Sequence, residues 1–380
     1  MIISALRKNW FSILAVGLLC AIAFFAGWWV NERGGDANER LLVTAYRQVT
    51  TQSFFRTQSD QELAYAAIRG MLGAVNDHYA ELIEPDAAQN LTATFAGKMG
   101  VVGLHAENQN GQVVISMIFP GGSAQAAGLQ VGDVIRAIDG TPLDADTDSS
   151  ETGLLLRGAP GSSVRVTVER GGQTLEFELQ RAAQRFVTSK MLPGSVGYIT
   201  LSAFNETASA QMKTALQELL AQQPVGIIWD LRNNEGGDMQ AAQQILSYFI
   251  EDGLLFTAEL THGRSVTFRA KGGALVDPNL PLVVLMDKTS YSAAETCAAA
   301  LEQTGRGLTV GETSYGKGVI QATMPLEEGA MLQITIARWL APDGAWYHEK
   351  GVPAQIAAHD DPATGADETL EKGLEVIVKP

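Results

Sequence analysis

The spacing of apolar and polar residues changes along the chain and predicts regions of different structure. An uncharged stretch runs from Trp10 to Val30, and a polar break at 31–39 follows it. Residues 39–84 place apolar side chains three and four positions apart, which predicts a helical region. From about Phe95 apolar and polar residues alternate, which is typical of strands.

A compact, mostly β module is predicted from residue 95 to 183. The segment SSVRVTVERGGQTLEFELQR reads as two alternating strands joined by Gly171 and Gly172. Shorter strand patterns, such as GQVVISMI and GDVIRAIDG, precede it, and AQAAGL predicts a short helix.

The remaining body alternates apolar strands with amphipathic helices, which predicts an α/β-layered core with a mostly parallel sheet. The whole chain is therefore predicted to be an α+β multidomain protein. The acidic segment HDDPATGADE is expected to be a solvated linker before a last helix. The predicted regions are an anchor at 1–34, a helical region at 35–94, the β module at 95–183, the core at 184–359, and a linker with helix at 360–380.

Composition and charge narrow the possible partners. The 380 residues are 46% hydrophobic, enough for more than one packed domain, and the net charge is −15. Because such a surface repels polyanions, no nucleic-acid partner is expected.

The N-terminal stretch predicts a membrane segment. Arg7 and Lys8 precede Trp10–Val30, which has about the 20 apolar residues that a spanning helix needs. Basic residues stay on the cytoplasmic side, so the rest of the chain is expected in the periplasm or another extracytoplasmic space, held to the inner membrane by a single pass. A cleaved signal peptide, cut near AIA at 21–23, is the alternative.

The stretch GETSYGKG at 311–318 is close to a phosphate-binding P-loop. A P-loop requires Ser or Thr after its lysine and then a helix, whereas Lys317 is followed by Gly318 and the strand-like VIQATMPL. Nucleotide binding is therefore not expected. Between two glycines, Lys317 is either a turn residue or a partly desolvated amine that acts as a general base.

A lysine base requires a hydroxyl to deprotonate, and two serines qualify. Ser314 forms Ser-x-x-Lys with Lys317, a motif that requires a helical turn. Ser292 instead follows a strand and begins an Ala-rich helix, where backbone N–H groups are available. Ser290 or Ser292 could equally be a helix N-cap, with Glu295 completing a capping box. Spacing alone leaves these interpretations open.

The segment TSYSAAETCAAALEQTGRGLTVGETSYGKGVIQ resembles the signature of the carboxyl-terminal processing, or tail-specific, proteases. The resemblance implies a serine endopeptidase in which Ser292 is the nucleophile and Lys317, 25 positions later, is the base. It also implies that Gln321 positions the lysine amine. The core at 184–359 would then be the protease core.

Two further sites follow from the resemblance. WDLRNNEGGD is similar to the strand end that supplies the oxyanion hole, which implies N–H groups of Ala293 and of Gly236 or Gly237. The β module resembles a PDZ domain, which implies that protein C-terminal tails dock at the MGVVGL loop. The implied contacts are Val102, Gly103 and Leu104.

Several positions depart from the family pattern. Tyr291 and Ala294 replace the flanking Ala and Ser of the serine motif, Glu235 replaces a proline, and His78 replaces a proline after Asp77. Each proposed catalytic side chain is retained. Glu235 lies beside the proposed oxyanion hole.

No cofactor or metal is expected, because the histidines are scattered without metal-ligand spacing. The expected partners are protein or peptide tails and the membrane; an adaptor protein and a homo-oligomer are left open. The competing functional class is an inactive, membrane-anchored PDZ scaffold that only binds protein C-termini.

Overall fold

The computed structural model describes residues 36–85, 87–88, 99–119, 121–145, 147, 149–361 and 363–378. The predicted membrane segment at 1–34 lies outside these residues. Across the described ranges, no helix combines the length and the apolar character needed to cross a bilayer. The chain divides into two compact units between Asp77 and His78.

The first unit contains helices α1 (Ala37–Gln52) and α2 (Asp60–Ala74). Asp36 accepts the Asn38 N–H at the start of α1. A capping box begins α2, in which Ser59 Oγ accepts the Glu62 N–H at 3.1 Å and Glu62 accepts the Ser59 N–H at 2.6 Å. The predicted helical region is therefore confirmed as far as Ala74.

The helical prediction for 35–94 is wrong at β1 (Glu81–Ile83), which opens the second unit as a strand. Leu82 and Ile83 are buried, and β1 pairs with residues 331–333. Three residues are too few to show strand alternation, and their partner lies far along the chain. The sequence pattern therefore had no local signal for this strand.

The β module contains eight strands and two short helices within its described residues. In chain order they are β2 (Gly100–Val101), β3 (Leu104–Gln109), β4 (Gln112–Ile118), α3 (Ser123–Ala127), β5 (Val134–Ile138), β6 (Thr141–Pro142), α4 (Ser149–Leu156), β7 (Ser163–Arg170), β8 (Gln173–Gln180) and β9 (Ala182–Ala183). They form an antiparallel sheet in the order β3-β4-β5-β7-β8, with β6 beside β5, and β2 pairs with β9. The predicted hairpin of β7 and β8 is confirmed, and Gly171 and Gly172 both have positive φ at its turn.

The core contains the remaining strands and helices. In chain order they are β10 (Val187–Leu192), β11 (Val196–Leu201), α5 (Glu206–Leu220), β12 (Gly226–Asp230), α6 (Met239–Leu246), β13 (Leu254–Leu260), β14 (Ser265–Arg269), β15 (Leu282–Met286), α7 (Ala293–Gln303), β16 (Leu308–Gly311), β17 (Val319–Pro325), β18 (Met331–Leu340), β19 (Ile356–Ala357) and α8 (Glu368–Val378).

The first core sheet has the strand order β10-β11-β12-β15-β16-β19. β10 and β11 pair antiparallel, whereas every later neighbour pairs in parallel. Successive side chains alternate between the two faces: Ile227 and Trp229 pack in the cluster that includes α5, α6 and α7, and Ile228 packs with Ile377 of α8. Helices thus cover both faces, as a buried parallel sheet requires.

A second, antiparallel sheet was not predicted from the sequence. Its strands follow the order β1-β18-β13-β14, and β17 pairs with the other edge of β18. The β17–β18 register shifts between Ile320 and Gln321. This sheet brings Gln321 close to the segment that precedes β1.

The ends of the parallel strands place the candidate chemistry. β12, β15 and β16 are neighbours and parallel, so their carboxyl ends lie at the same edge of the sheet. The loops that follow them contain the NNEGGD turn, Ser292 and Lys317 in that order. Functional groups gather at this edge in α/β proteins.

Candidate active site

Ser292 lies at the junction between β15 and α7 in an unusual backbone conformation. Its φ is 59° and its ψ is −117°, and a strained non-glycine residue of this kind costs about 1–3 kcal/mol. The Ser292 N–H donates to Glu295 Oε2 at 2.8 Å, and the Tyr291 N–H donates to Asn234 O at 3.0 Å. Contacts from the neighbouring helix and loop therefore hold the turn in this conformation.

The two other serines of the sequence analysis are occupied by structural contacts. Ser290 is buried; its hydroxyl donates to Leu231 O at 2.8 Å and accepts the Asp287 N–H at 3.0 Å. Ser314 is also buried, and its hydroxyl donates to Glu295 and accepts the Val352 N–H at 2.7 Å. Ser292, which is only half-buried, is the serine best placed to meet a substrate.

The buried Glu295 carboxylate joins the serine turn to the lysine loop. Its Oε2 accepts the N–H groups of Ser292 and Lys317, each at 2.8 Å. Its Oε1 accepts the Gly316 N–H at 2.6 Å and the Ser314 hydroxyl. Burial raises the pKa of the Glu295 carboxyl, whereas these hydrogen bonds favour its ionised form. The sequence predicts Glu295 only as a capping residue and carries no signal for this second role.

Lys317 directs its amine into a polar and aromatic pocket. Nζ donates to Gln321 Oε1 at 2.8 Å, and Gln321 Nε2 donates to the backbone oxygen of Tyr79 at 2.5 Å. Lys317 Nζ lies 4.8 Å from the ring centroid of Tyr79 and 5.6 Å from that of Tyr291. Lys317 and Gln321 therefore meet as predicted, and Tyr79 fixes the glutamine from the turn that precedes β1, a strand that the sequence did not predict.

Hydrogen bonds and close packing hold the loop around Lys317 against the segment from Trp339 to His348. The indole N–H groups of Trp339 and Trp346 donate to the carbonyl oxygens of Lys317 and Gly318 at 2.9 and 2.7 Å. The Gly318 N–H donates to His348 Nδ1 at 3.2 Å. A Cβ at Gly318 would lie 2.7 Å from His348 Cβ. The glycine is needed for this close approach, and a strand, not a helix, follows it.

The two glycines of the predicted oxyanion hole differ in their contacts. A Cβ at Gly236 would lie 2.8 Å from Ala293 N and 2.9 Å from Ser292 Cβ, so the glycine turn packs directly on the serine turn. The Gly236 N–H donates to Asn234 Oδ1 at 2.7 Å. In this conformation Gly236 therefore does not present its N–H to a substrate, and Gly237 remains the candidate donor beside Ala293.

Comparison with known proteins decides the family. A family model described as peptidase family S41 matches residues 195–358, and a PDZ domain model matches residues 100–180. The carboxyl-terminal-processing protease of Synechocystis sp. is 31% identical over 375 residues, which cover 91% of this chain and 87% of that protein. The chain belongs to peptidase family S41. It is a serine protease of the carboxyl-terminal processing family.

Other relatives agree with this family assignment. The carboxy-terminal processing protease CtpB of Bacillus subtilis is 31% identical over 336 residues, covering 83% of this chain and 67% of that protein. A solved structure of a photosystem II D1 C-terminal processing protease superposes with a TM-score of 0.54 at 29% identity, covering 86% of this chain and 94% of that chain.

The PDZ loop of this S41 protease is pinned to the start of α3. Val102 is buried, and its carbonyl accepts the Ala124 N–H at 2.9 Å and the Ser123 hydroxyl at 3.2 Å. Gly103 has a φ of 79°, and a Cβ there would lie 2.8 Å from Gly122 Cα. Leu104 begins β3 and packs against the PDZ core. Hydrogen bonds and close packing thus hold the backbone of this loop at the start of β3.

The acidic segment near the C-terminus of the protease is more than a solvated linker, which corrects the sequence prediction. Arg232, in the loop after β12, pairs with Asp360 at 3.0 Å and with Asp367 at 2.7 Å. It also pairs with Asp230 at 2.6 Å, and the Tyr198 hydroxyl donates to the same carboxylate. The C-terminal segment is therefore tied to the loop that contains the NNEGGD turn.

Proposed function

We propose that this serine protease cleaves peptide bonds with Ser292 as nucleophile and Lys317 as general base, oriented by Gln321. The observation that carries the proposal is the position of Glu295, whose one oxygen accepts the N–H groups of both Ser292 and Lys317. This contact holds together two loops that the sequence separates by 25 positions. The Lys317–Gln321 hydrogen bond supports the same assignment.

In the proposed reaction, the neutral Lys317 amine takes the proton of the Ser292 hydroxyl as Oγ attacks the peptide carbonyl carbon. The tetrahedral intermediate then releases the amine, which receives that proton from the Lys317 ammonium. Water, deprotonated by the same lysine, hydrolyses the acyl ester and restores Ser292. The faces of Tyr79 and Tyr291 stabilise the ammonium while it exists, because aromatic rings attract cations.

The developing oxyanion needs N–H donors that are already in place. The Ala293 N–H is at the N-terminus of α7, where the helix dipole also favours negative charge. We assign the second donor to Gly237, or to Gly236 once its N–H leaves Asn234. Loss of one such donor lowers the rate by about 100-fold to 1,000-fold.

Substrate choice is assigned to the PDZ domain. A PDZ fold adds an extended peptide to a sheet edge and binds its terminal carboxylate on loop N–H groups. We propose that protein C-terminal tails dock at Val102, Gly103 and Leu104 and are then cut at Ser292. The fixed backbone of that loop supports the proposal.

We also propose an extracytoplasmic location, with the chain held to the inner membrane through residues 1–34. The uncharged stretch Trp10–Val30 and the basic Arg7 and Lys8 before it support this placement.

The direct test is cleavage of a tail peptide by the full chain. Ser292→Ala should abolish cleavage and leave binding of the same peptide intact, whereas Ser265→Ala, an exposed serine on the edge strand β14, should behave as wild type. An amide at the peptide C-terminus should weaken both binding and cleavage. Cleavage that survives in Ser292→Ala, or that ignores the amide, would contradict the nucleophile or the PDZ assignment respectively.

A further inference from the structure

Two residues that depart from the family signature lie beside the predicted nucleophile. Glu235 stands at a position that is a proline in the signature, and Tyr291 at one that is an alanine. Burial raises the pKa of the Tyr291 hydroxyl, and the Glu235 carboxylate raises it further through its charge and hydrogen bonding. The two departures therefore influence each other.

The pair lies against Ser292 from two different loops. Tyr291 directly precedes the serine. Glu235 directly precedes Gly236, where a Cβ would lie 2.9 Å from Ser292 Cβ. A substrate whose scissile carbonyl meets Ser292 must therefore place its flanking side chains near this pair.

The Glu235 carboxylate is open to solvent, because Glu235 is an exposed residue. A carboxylate has acceptor sites for about four hydrogen bonds. A donor on the substrate can therefore reach this carboxylate from solvent.

Aromatic faces complete the surroundings of this carboxylate. The ring of Tyr315, which is 57% exposed, lies 5.4 Å from that of Tyr291. Such faces attract ammonium and guanidinium groups, and Lys317 Nζ already lies over the Tyr291 ring. Carboxylate and rings together therefore favour a cationic side chain and disfavour an anionic one.

We propose that Glu235, Tyr291 and Tyr315 form an acidic subsite that selects lysine or arginine at a position flanking the scissile bond. This proposal rests on the proposed function and adds a substrate class to it. A bound cation here also favours the neutral form of the nearby Lys317 amine, because like charges disfavour each other. A cationic substrate side chain is thus both selected by the subsite and favourable for the neutral, active form of Lys317.

The test uses tail peptides that are identical except for Lys, Gln or Glu at each of the two flanking positions, cut by the full chain. Wild type should cut the Lys peptide with a kcat/KM about tenfold above that of the Glu peptide, with Gln between them. The ratio should shrink as salt concentration rises. Mass spectrometry of the products locates the cut.

The ratio of kcat/KM for the Lys and Glu peptides, measured within each variant, distinguishes a loss of subsite selectivity from a general loss of activity. Glu235→Gln should bring the Lys-to-Glu ratio to about twofold or less, because it removes the carboxylate charge, and Tyr291→Phe should lower the ratio less, because it removes only the neighbouring hydroxyl. Glu218→Gln is the matched control: it removes the same charge from the last turn of α5, at the opposite edge of the sheet, and should keep the wild-type ratio.

The possible outcomes distinguish the two proposals. Equal rates for the three peptides at both positions in wild type, or an unchanged ratio in Glu235→Gln, would overturn the subsite while cleavage continues. If the Gln peptide is cut equally by wild type and Ser292→Ala, the proposed function fails, and the subsite fails with it.

Discussion

Glu295 accepts the backbone N–H of Lys317 at 2.8 Å, although the two residues lie on connections that follow different strands. The same oxygen accepts the Ser292 N–H. The distance between the predicted nucleophile and base is thus set by a buried carboxylate and not by the chain between them. Loss of the Glu295 carboxylate should therefore displace Ser292 and Lys317 together.

Glu295→Gln should therefore lower both activity and stability. The amide NH₂ cannot accept a hydrogen bond, so at least one N–H loses its partner, and the free energy of unfolding should fall by about 3 kcal/mol. Displacement of the serine or lysine by about 1 Å should lower kcat about 100-fold. Thermal unfolding and peptide kinetics measure the two effects.

The control is Glu302→Gln on the same helix, where the carboxylate accepts only the Thr309 hydroxyl among the described hydrogen bonds. Glu302→Gln should lower the free energy of unfolding by only about 1 kcal/mol and leave kcat unchanged. Wild-type kcat in Glu295→Gln would show that the carboxylate does not position the two residues.

Gln321 should set the pH range of activity. In Gln321→Glu a carboxylate replaces the amide oxygen that now lies 2.8 Å from Lys317 Nζ, which favours the ammonium form. The alkaline rise of kcat/KM should therefore move by about 1 pH unit or more toward higher pH. In Gln321→Ala the rise should stay closer to its wild-type position while kcat falls. Identical profiles for wild type and Gln321→Glu would be incompatible with Lys317 as the titrating base.

Gly318 should be intolerant of a side chain for steric reasons. An alanine Cβ would lie 2.7 Å from His348 Cβ and from Trp346 Nε1, so the lysine loop must shift. We expect Gly318→Ala to lower the free energy of unfolding by about 1–3 kcal/mol and to reduce kcat. The matched substitution Gly73→Ala meets open space in α2 and should be neutral or stabilising by up to about 1 kcal/mol.

The PDZ domain should lose stability in acid through Asp133. Its buried carboxylate accepts two hydrogen bonds from Arg170, each at 2.6 Å, and the Gln130 N–H at 2.8 Å. Burial raises the pKa of Asp133, but these partners outweigh it and leave that pKa below its ordinary value. A lowered pKa in the folded state adds stability above the ordinary pKa near 3.8, and this stability is lost as pH falls through the folded value.

Asp133→Asn should therefore lower the free energy of unfolding by about 2–3 kcal/mol at pH 7 and by progressively less below pH 4. Denaturant unfolding at a series of pH values measures this difference. A loss of unfolding free energy that stays constant down to pH 2 would show that it does not come from the Asp133–Arg170 ion pair.

Sequence reasoning succeeded where the signal is local. The β7–β8 hairpin is read from alternation and two glycines, and the parallel strands are read from apolar runs between helices. The family resemblance supplied the spacing of Ser292 and Lys317, which the structure places on adjacent loops of one sheet edge. These features depend on residues within a few tens of positions of one another.

Contacts between distant segments were missed. Tyr79, whose carbonyl fixes Gln321, lies 242 positions before it and precedes a strand too short to show a pattern. The pairing of Arg232 with Asp360 and Asp367 is equally remote. The charges, Gly and Pro of HDDPATGADE predict a solvated linker, because nothing in that segment indicates that Arg232 is its partner. The hydrogen bond that occupies the Gly236 N–H depends on a side-chain rotamer and has no sequence signal.

The proposed mechanism depends on activation of Ser292 by an uncharged Lys317. This activation is tested by covalent labelling of the full chain with a peptidyl fluorophosphonate, followed by peptide mapping and by rate measurements across pH in wild type and Lys317→Met. We expect a single adduct on Ser292, formed faster as pH rises and nearly absent in Lys317→Met. An adduct on another residue, or equal labelling of Ser292 in both proteins at every pH, would rule out activation of Ser292 by Lys317.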